Sequence, residues 1–271
     1  MTARIVYDEP ASTYHRRELG VVSRSGLQRV LRSPAHYHAW ATGQTDESDS
    51  PALAFGRALH AAVLEPEVFA AAFAPAPDFG DLRTRGAKLA RDEWRAANAG
   101  RIAVDATTWQ QIRGMDAAIR RHPLASRLLG AGRAEVTLHW QDPDTGMPCK
   151  SRPDWLDEER GVVVDLKSAE DARPATFARS VARYQYHLQD AWYRIGCAAA
   201  GLPAKNFVFL VVEKTAPYAV SICSLDEDAV TAGYDMARRG VDMIAAGVRT
   251  GQWPAYTDRI HTVSLPPWAA E

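Results

Sequence analysis

The pattern of apolar residues predicts an α/β fold, a central mixed sheet with helices on both sides and a mainly helical addition in front of it. Three observations carry this. Up to about residue 130 the apolar positions recur three and four residues apart. From Ala134 onward, short alternating or wholly apolar runs appear, each bounded by turn residues. A long amphipathic stretch then separates the third such run from the fourth, as a helix crossing over a sheet would. The 271 residues suffice for one large domain, with roughly 20–130 mainly helical, 131–225 the sheet core with its helix, and 226–271 a last helix and a tail.

Taken in order, "SRSGLQRVLRSPAHYHAW" places Leu27, Val30 and Leu31 at helical spacing, and Pro34 interrupts or restarts the helix. "ATGQTDESDSP" is a polar loop. In "ALAFGRALHAAVLEP" the Phe55, Leu59 and Val63 stripe predicts a helix. "APAPDFGDLRTRGAK" is a Pro- and Gly-broken connection into a basic helix, "AKLARDEWRAANAG". A third helix runs from about Ala106 to Arg121. "AEVTLHW" alternates as a strand, "DPDTG" is a turn, and "MPCKSRPDWL" continues as a second strand. After "DEERG" comes the apolar strand "VVVDLKS". One long helix carries Phe177, Val181, Tyr184, Leu188, Trp192 and Ile195, and "NFVFLVVEK" and "YAVSICSL" are two further strands. Asp226 or Ser224 caps a last helix that runs to about Val248.

Composition narrows the function classes. The 32 basic and 33 acidic residues exclude a globally basic nucleic-acid coat protein but permit a local basic channel. The three cysteines, Cys149, Cys197 and Cys223, form no CxxC pair, so neither a zinc framework nor an iron–sulfur cluster is expected. No run approaches the roughly 20 apolar residues that span a bilayer. "MTARIVYDEPASTYHRRELG" lacks a signal-peptide core, so a cytoplasmic location is expected.

The chemistry concentrates in "CKSRPDWLDEERGVVVDLKSAEDA". Side chains alternate along "VVVDLKS", so Val163, Asp165 and Lys167 share one face and Val162, Val164 and Leu166 the other. Charges ending a buried strand are costly unless paired or metal-bound. The short turn Asp157–Gly161 would bring Asp154 alongside. Two carboxylates and a lysine suit Mg²⁺, which prefers oxygen ligands, and phosphodiester hydrolysis, with the lysine steadying developing charge. The plainer reading of the same residues is a surface hairpin with a salt bridge.

"RPD" followed ten residues later by "DLK" resembles the signature of the PD-(D/E)xK nucleases, whose fold is restriction-endonuclease-like. Gln189 and Tyr193 in "QDAWY", and Gly56 and His60 in "GRALH", are similar to two motifs of its RecB-type branch. More narrowly, "SPAHYHAW", "GRALHAAVLEP", "CKSRPDWL", "DLKSAEDA" and "YHLQDAWY" resemble the exonuclease VIII (RecE) nuclease family, in order from about Ser23 to Tyr193. The resemblance implies a single Mg²⁺-dependent exonuclease domain. It would digest one strand of linear duplex DNA from its 5′ end and leave 3′ tails for a single-strand annealing protein, and it would assemble as a ring-like tetramer. By motif, His60, Asp154, Asp165 and the backbone carbonyl of Leu166 would be metal ligands, Lys167 the catalytic lysine, and Gln189 and Tyr193 the DNA side of the site. Ser168 and Ala169 stand where that family commonly has a threonine pair, which leaves one substrate contact open.

Further residues are candidates on their own pattern. Glu135 alternates away from Val136 and Leu138 and either faces the cleft as an outer ligand for a second metal or lies on the surface. Arg83, Arg85 and Lys88, with Arg91 and Arg95 beyond them, form a basic cluster. It is either a solvated face or a set of phosphate contacts, and DNA contact is favoured for the first three. Arg152 shares a face with Asp154 and is expected to clamp a phosphate. Gln189 and Tyr193, four apart, would by spacing alone pack against the helix stripe. Trp40, Trp94 and Trp109 are expected in the core, and His36, His38 and His187 fit no site. Gly56, one turn before His60, leaves room beside the imidazole. A histidine ligand would let Mn²⁺ substitute for Mg²⁺. A structure-specific endonuclease and a non-catalytic DNA-binding scaffold remain the alternatives.

Overall fold

The computed structural model describes residues 3–45, 50–256 and 259–265. Part of the polar loop after Trp40 and the end of the tail lie outside these residues. The chain begins with a short strand β1 (Arg4–Val6) and one helical turn α1 (Ala11–Tyr14). Ser23 caps α2 (Arg24–Arg32), and Ser33 caps α3 (Pro34–Ala41) with Pro34 in its first turn, so the proline restarts the helix. Ser50 and Pro51 start α4 (Pro51–Leu64) in the same way, and α5 (Pro66–Ala72) follows. Then come β2 (Phe73–Ala76), α6 (Arg85–Ala97), β3 (Ile102–Asp105), α7 (Ala106–Arg121), which Asp105 caps, and α8 (Pro123–Leu128).

The sheet region holds β4 (Arg133–Ala134), β5 (Thr137–Gln141), β6 (Pro148–Ser151), β7 (Trp155–Asp157) and β8 (Val162–Ala169). Helices α9 (Pro174–Tyr184) and α10 (Tyr186–Ala199) cross over to β9 (Asn206–Glu213). Strand β10 (Val220–Cys223) and α11 (Glu227–Thr250), capped by Asp226, complete the regular structure of the described residues. The main sheet is mixed, in the order β10-β9-β8-β7-β4, with β8 and β9 parallel and the other pairs antiparallel. A second sheet runs β1-β5-β6, and β2 and β3 form a small parallel pair.

The alternation in β8 and β9 decides what covers each face. Val163, Phe207, Phe209 and Val211 pack with Phe177, Leu188 and Trp192 of α9 and α10 and with Leu27 of α2. Val164, Leu166, Leu210 and Val212 pack on the opposite side with Leu59 and Val63 of α4 and Ile112 and Met115 of α7. Each such fully buried aliphatic contributes about 1.5–3 kcal/mol. The sheet is thus a filling between two helical layers, and α4 and α10 reach β8 from opposite sides. Trp40 lies in the first of these cores, while Trp109 stacks on Phe69 at 4.7 Å and Trp94 meets Phe79 edge-on.

Two predicted elements are divided. "MPCKSRPDWL" is two strands in two sheets, β6 paired with β5 and β7 paired with β8. Pro153 cannot donate to a ladder, and the chain changes sheet across Arg152–Asp154. The long helix breaks at Gln185, which takes the left-handed conformation at φ 55° and starts α10 in a new direction.

Candidate active site

Strand β8 outruns its neighbour. Strand β7 pairs only with Val162–Val164, so beyond Val164 that edge of β8 carries backbone groups with no strand beside them. Those of Leu166 are taken up by side chains. Its N–H donates to Asp154 Oδ2 at 2.8 Å, and its carbonyl lies 2.9 Å from His60 Nε2. Asp154 stands at the break between β6 and β7, where the change of sheet turns its carboxylate toward β8. His60 comes from α4, on the other side of the sheet, and its Nδ1 lies 3.5 Å from Asp154 Oδ2.

Glu135 joins them by a backbone device that alternation does not reveal. It sits between β4 and β5 at φ 53°, a conformation a glutamate rarely adopts, and its N–H donates to the Asp154 carbonyl at 3.0 Å. One ligand atom from each of His60, Glu135 and Asp154 lies within 4.8 Å of the others. With the Leu166 carbonyl they make a set of oxygen donors and one imidazole.

Asp165 and Lys167 emerge on the α10 side of β8. Asp165 is fully buried. Its carboxylate is ion-paired to the Lys167 ammonium and accepts a hydrogen bond from the Gln189 amide, which also donates to the Tyr193 hydroxyl at 3.3 Å. Lys167 Nζ stands 4.9 Å from the centroid of Tyr186. Gln189 and Tyr193 are therefore buried supports behind Asp165, and do not present an open face toward DNA. The Leu188 and Trp192 stripe of α10 packs on the sheet and points the amide inward.

The electrostatics are those of crowded acids. Burial first, then the charge of Asp154, pushes the Glu135 carboxyl up to about 8, against the opposing pull of Arg152. Burial and Asp154 push Asp165 up to about 6, against the opposing pull of Lys167. Burial alone would lower Lys167, but Asp165 and Asp154 outweigh it and hold the amine charged, above its ordinary range. With all three ionised, these carboxyls would carry more negative charge than one ammonium and one guanidinium balance, which adds to burial in raising Glu135 and Asp165. That donor set fits a divalent cation with a preference for oxygen.

The basic candidates fall elsewhere. Arg152 does not stand in the cleft to clamp a phosphate, because its side chain is only 4% exposed and already committed. It donates to the Glu9 carbonyl and to Thr137 Oγ1, and Glu135 lies 3.8 Å away. Arg83, Arg85 and Lys88 lie exposed on the turn before α6 and its first turn, with Arg83 paired to Asp81 at 3.0 Å. Helix α6 buries none of its residues. Pattern reading missed Tyr186, hidden by the unforeseen break at Gln185, and Glu9 and Tyr14, which lie in a segment with no periodicity to mark them. Among the described residues no helix is long and apolar enough to cross a membrane.

Comparison with known proteins bears on the fold and the family. A crystal structure of a "Putative exonuclease" from Eubacterium rectale superposes with a TM-score of 0.59 over 98% of both chains, at 14% sequence identity, a likeness of fold. Among curated proteins none matches the chain. Residues 23–266 match the family described as a PDDEXK-like domain of unknown function (DUF3799), and the chain belongs to that family.

Proposed function

We propose that the chain is a divalent-metal-dependent deoxyribonuclease. It digests one strand of linear duplex DNA from the 5′ end and leaves 3′ tails for a single-strand annealing protein. The observation that carries the metal-dependent nuclease is the convergence of His60, Glu135, Asp154 and the Leu166 carbonyl beside the Asp165–Lys167 pair. The polarity and the tails are what the resemblance to the exonuclease VIII family implies. His60, Glu135, Asp154, Asp165 and the Leu166 carbonyl would hold the ion, Mg²⁺ with Mn²⁺ able to substitute. A bound divalent ion supplies neutralisation of phosphate charge and a lowered pKa for the attacking water.

The protein's own groups do the rest. Lys167, held charged by its acidic neighbours, donates hydrogen bonds to the attacking water or the scissile phosphate and steadies charge as it develops. Gln189, backed by Tyr193, fixes the Asp165 carboxylate so that it does not rotate away when Lys167 engages substrate. Arg83, Arg85 and Lys88 contact backbone phosphates on the way to the site. Four copies in a ring would enclose the duplex and keep the enzyme on one strand, in the cytoplasm, where its DNA substrate lies.

The test is cleavage of end-labelled linear duplex and of closed circular duplex with Mg²⁺ and with Mn²⁺. Release of 5′ label from the linear form alone is expected. Cleavage of the circle would replace the exonuclease reading with an endonuclease, release from the 3′ end would reverse the polarity, and no cleavage of either would remove the nuclease reading. Light scattering checks the ring, which a strict monomer would contradict.

A further inference from the structure

Residues 3–22 precede the stretch matched to the family, yet they reach the site. Strand β1 pairs with β5, Val6 opposite Thr137, and the chain then runs past β6. Two cations at the end of β6 grip it. Lys150 donates to the carbonyls of Tyr14 and Arg16 and stands 5.2 Å from the Tyr14 ring. Arg152 donates to the Glu9 carbonyl at 2.6 Å, faces the Glu9 carboxylate at 3.7 Å, and lies 4.5 Å from the same ring. His139 takes the other Glu9 oxygen at 3.1 Å. The Glu9 side chain is only 8% exposed, so this is a built contact.

The far end of the Arg152 guanidinium points to Glu135, at 3.8 Å. A planar fork held by Glu9, Thr137 and the Tyr14 ring has no freedom to follow a moving carboxylate, so Glu135 is placed by what is fixed. We infer that the N-terminal segment is part of the active site, with Glu9 and Tyr14 as positioning residues that lock Arg152 and, through it, hold Glu135 in the pose that completes the metal-binding set. The inference rests on the reading of Glu135 as a ligand. Glu9 also shares the charge of Arg152, which otherwise would be free to pair fully with Glu135 and compete with the ion.

The experiment is equilibrium binding of Mn²⁺, followed by calorimetry, to the full chain and to its Glu9→Gln and Tyr14→Leu variants. Thermal unfolding without metal is measured in parallel. Outer partners of metal ligands typically contribute 10- to 100-fold in affinity, and a loss of about 10-fold is expected for each variant. Glu9→Asp should recover part of it. A merely structural role would lower the unfolding temperature and leave Mn²⁺ affinity alone. Affinity within about twofold of wild type in folded Glu9→Gln or Tyr14→Leu therefore overturns the inference while leaving the metal site standing. Failure of the wild type to bind Mn²⁺ overturns the metal site itself, and the inference with it.

Discussion

The imidazole of His60 and the carbonyl of Leu166 meet at 2.9 Å across 106 positions of sequence. The N–H of the same Leu166 is held by Asp154. Helix α4 and the β6–β7 break therefore close on one residue of β8 from two directions, and this fixes where an ion shared by these groups would lie. His60→Ala removes one side of that clip without opening the core, since His60 is half-buried while its neighbour Leu59 carries the packing. It should weaken Mg²⁺-dependent cleavage at limiting metal by at least the 10- to 100-fold that loss of a supporting partner costs. Mn²⁺, which accepts imidazole more readily, should support the wild type at least as well as Mg²⁺ does. A metal titration of cleavage on both proteins checks this, and an unchanged titration would make His60 a packing residue.

Lys167→Ala and Asp165→Ala should each abolish cleavage, but their effects on stability should differ. Lys167→Ala leaves Asp165 fully buried without its cation, and removing one partner of a buried pair costs about 3–5 kcal/mol. Asp165→Ala leaves Lys167 with the Tyr186 face and the nearby charge of Asp154, so it should cost less. Urea unfolding of both variants beside an end-labelled cleavage assay separates the two effects. Near-normal cleavage by either folded variant would contradict the roles assigned here.

Arg83, Arg85 and Lys88 are exposed and make no part of the core, so their neutralisation should leave stability unchanged within about 0.5 kcal/mol. If they contact phosphates, each loss should reduce the slope of log affinity against log salt by roughly one. Duplex binding measured over a range of salt tests this directly, and an unchanged slope would mark the cluster as a solvated face.

Strand β8 was legible because its apolar alternation and its two charges obey one period, and both faces are buried as that period requires. The cap of the last helix was narrowed to Asp226 or Ser224, since a capping side chain is a local signal, and Asp226 makes it. What stayed hidden depends on distant partners. The apolar stripe from Phe177 to Ile195 continues through Gln185, so nothing local marks the break there. Alternation likewise continues through Pro153, although β6 and β7 belong to different sheets. Glu135 reaches His60 and Asp154 only because its φ is positive. Strands β1, β2, β3 and β4 are two to four residues long and exist by pairing with remote segments. The fate of Arg152 was unreadable for the same reason, because Glu9 and Tyr14, which help to hold it, lie more than a hundred positions away.

Away from the site, Arg238 of α11 donates to both oxygens of Asp142, at 2.8 and 3.1 Å, and so ties the last helix to the turn between β5 and β6. Burial would raise the Asp142 carboxyl, but the bonds from Arg238 and Thr145 outweigh it and hold the group below its ordinary range. A carboxylate whose folded pKa is depressed adds stability above its unfolded pKa and loses it as pH falls through the folded one. Asp142→Asn should therefore cost about 1.5–3 kcal/mol near neutral pH. The gap from wild type should close as pH falls through and below the ordinary carboxylate range. Urea midpoints at several pH values measure it, and a gap that persists at low pH would mean the bonds act without the charge.

The last expectation joins packing to the site. A Cβ at Gly233 of α11 would lie 2.1 Å from the His187 carbonyl oxygen of α10, and that oxygen belongs to helix backbone, with no flexible side chain to yield. At Gly56 of α4 the same Cβ would meet nothing within 4 Å. Alanine gains about 0.5–1 kcal/mol over glycine inside a helix, so Gly56→Ala should stabilise the protein by that amount. At Gly233 the gain is overwhelmed, because overpacking costs about 1–3 kcal/mol or more and is relieved only by moving one helix off the other. His187 lies two residues before Gln189, the support of Asp165, so that movement should also reach the catalytic pair. Gly233→Ala is thus expected to lower both the thermal midpoint and the cleavage rate of the protein that remains folded. Thermal unfolding and single-turnover cleavage of the two alanine variants side by side test this, and equal behaviour of the two would refute the tight crossing of α10 and α11.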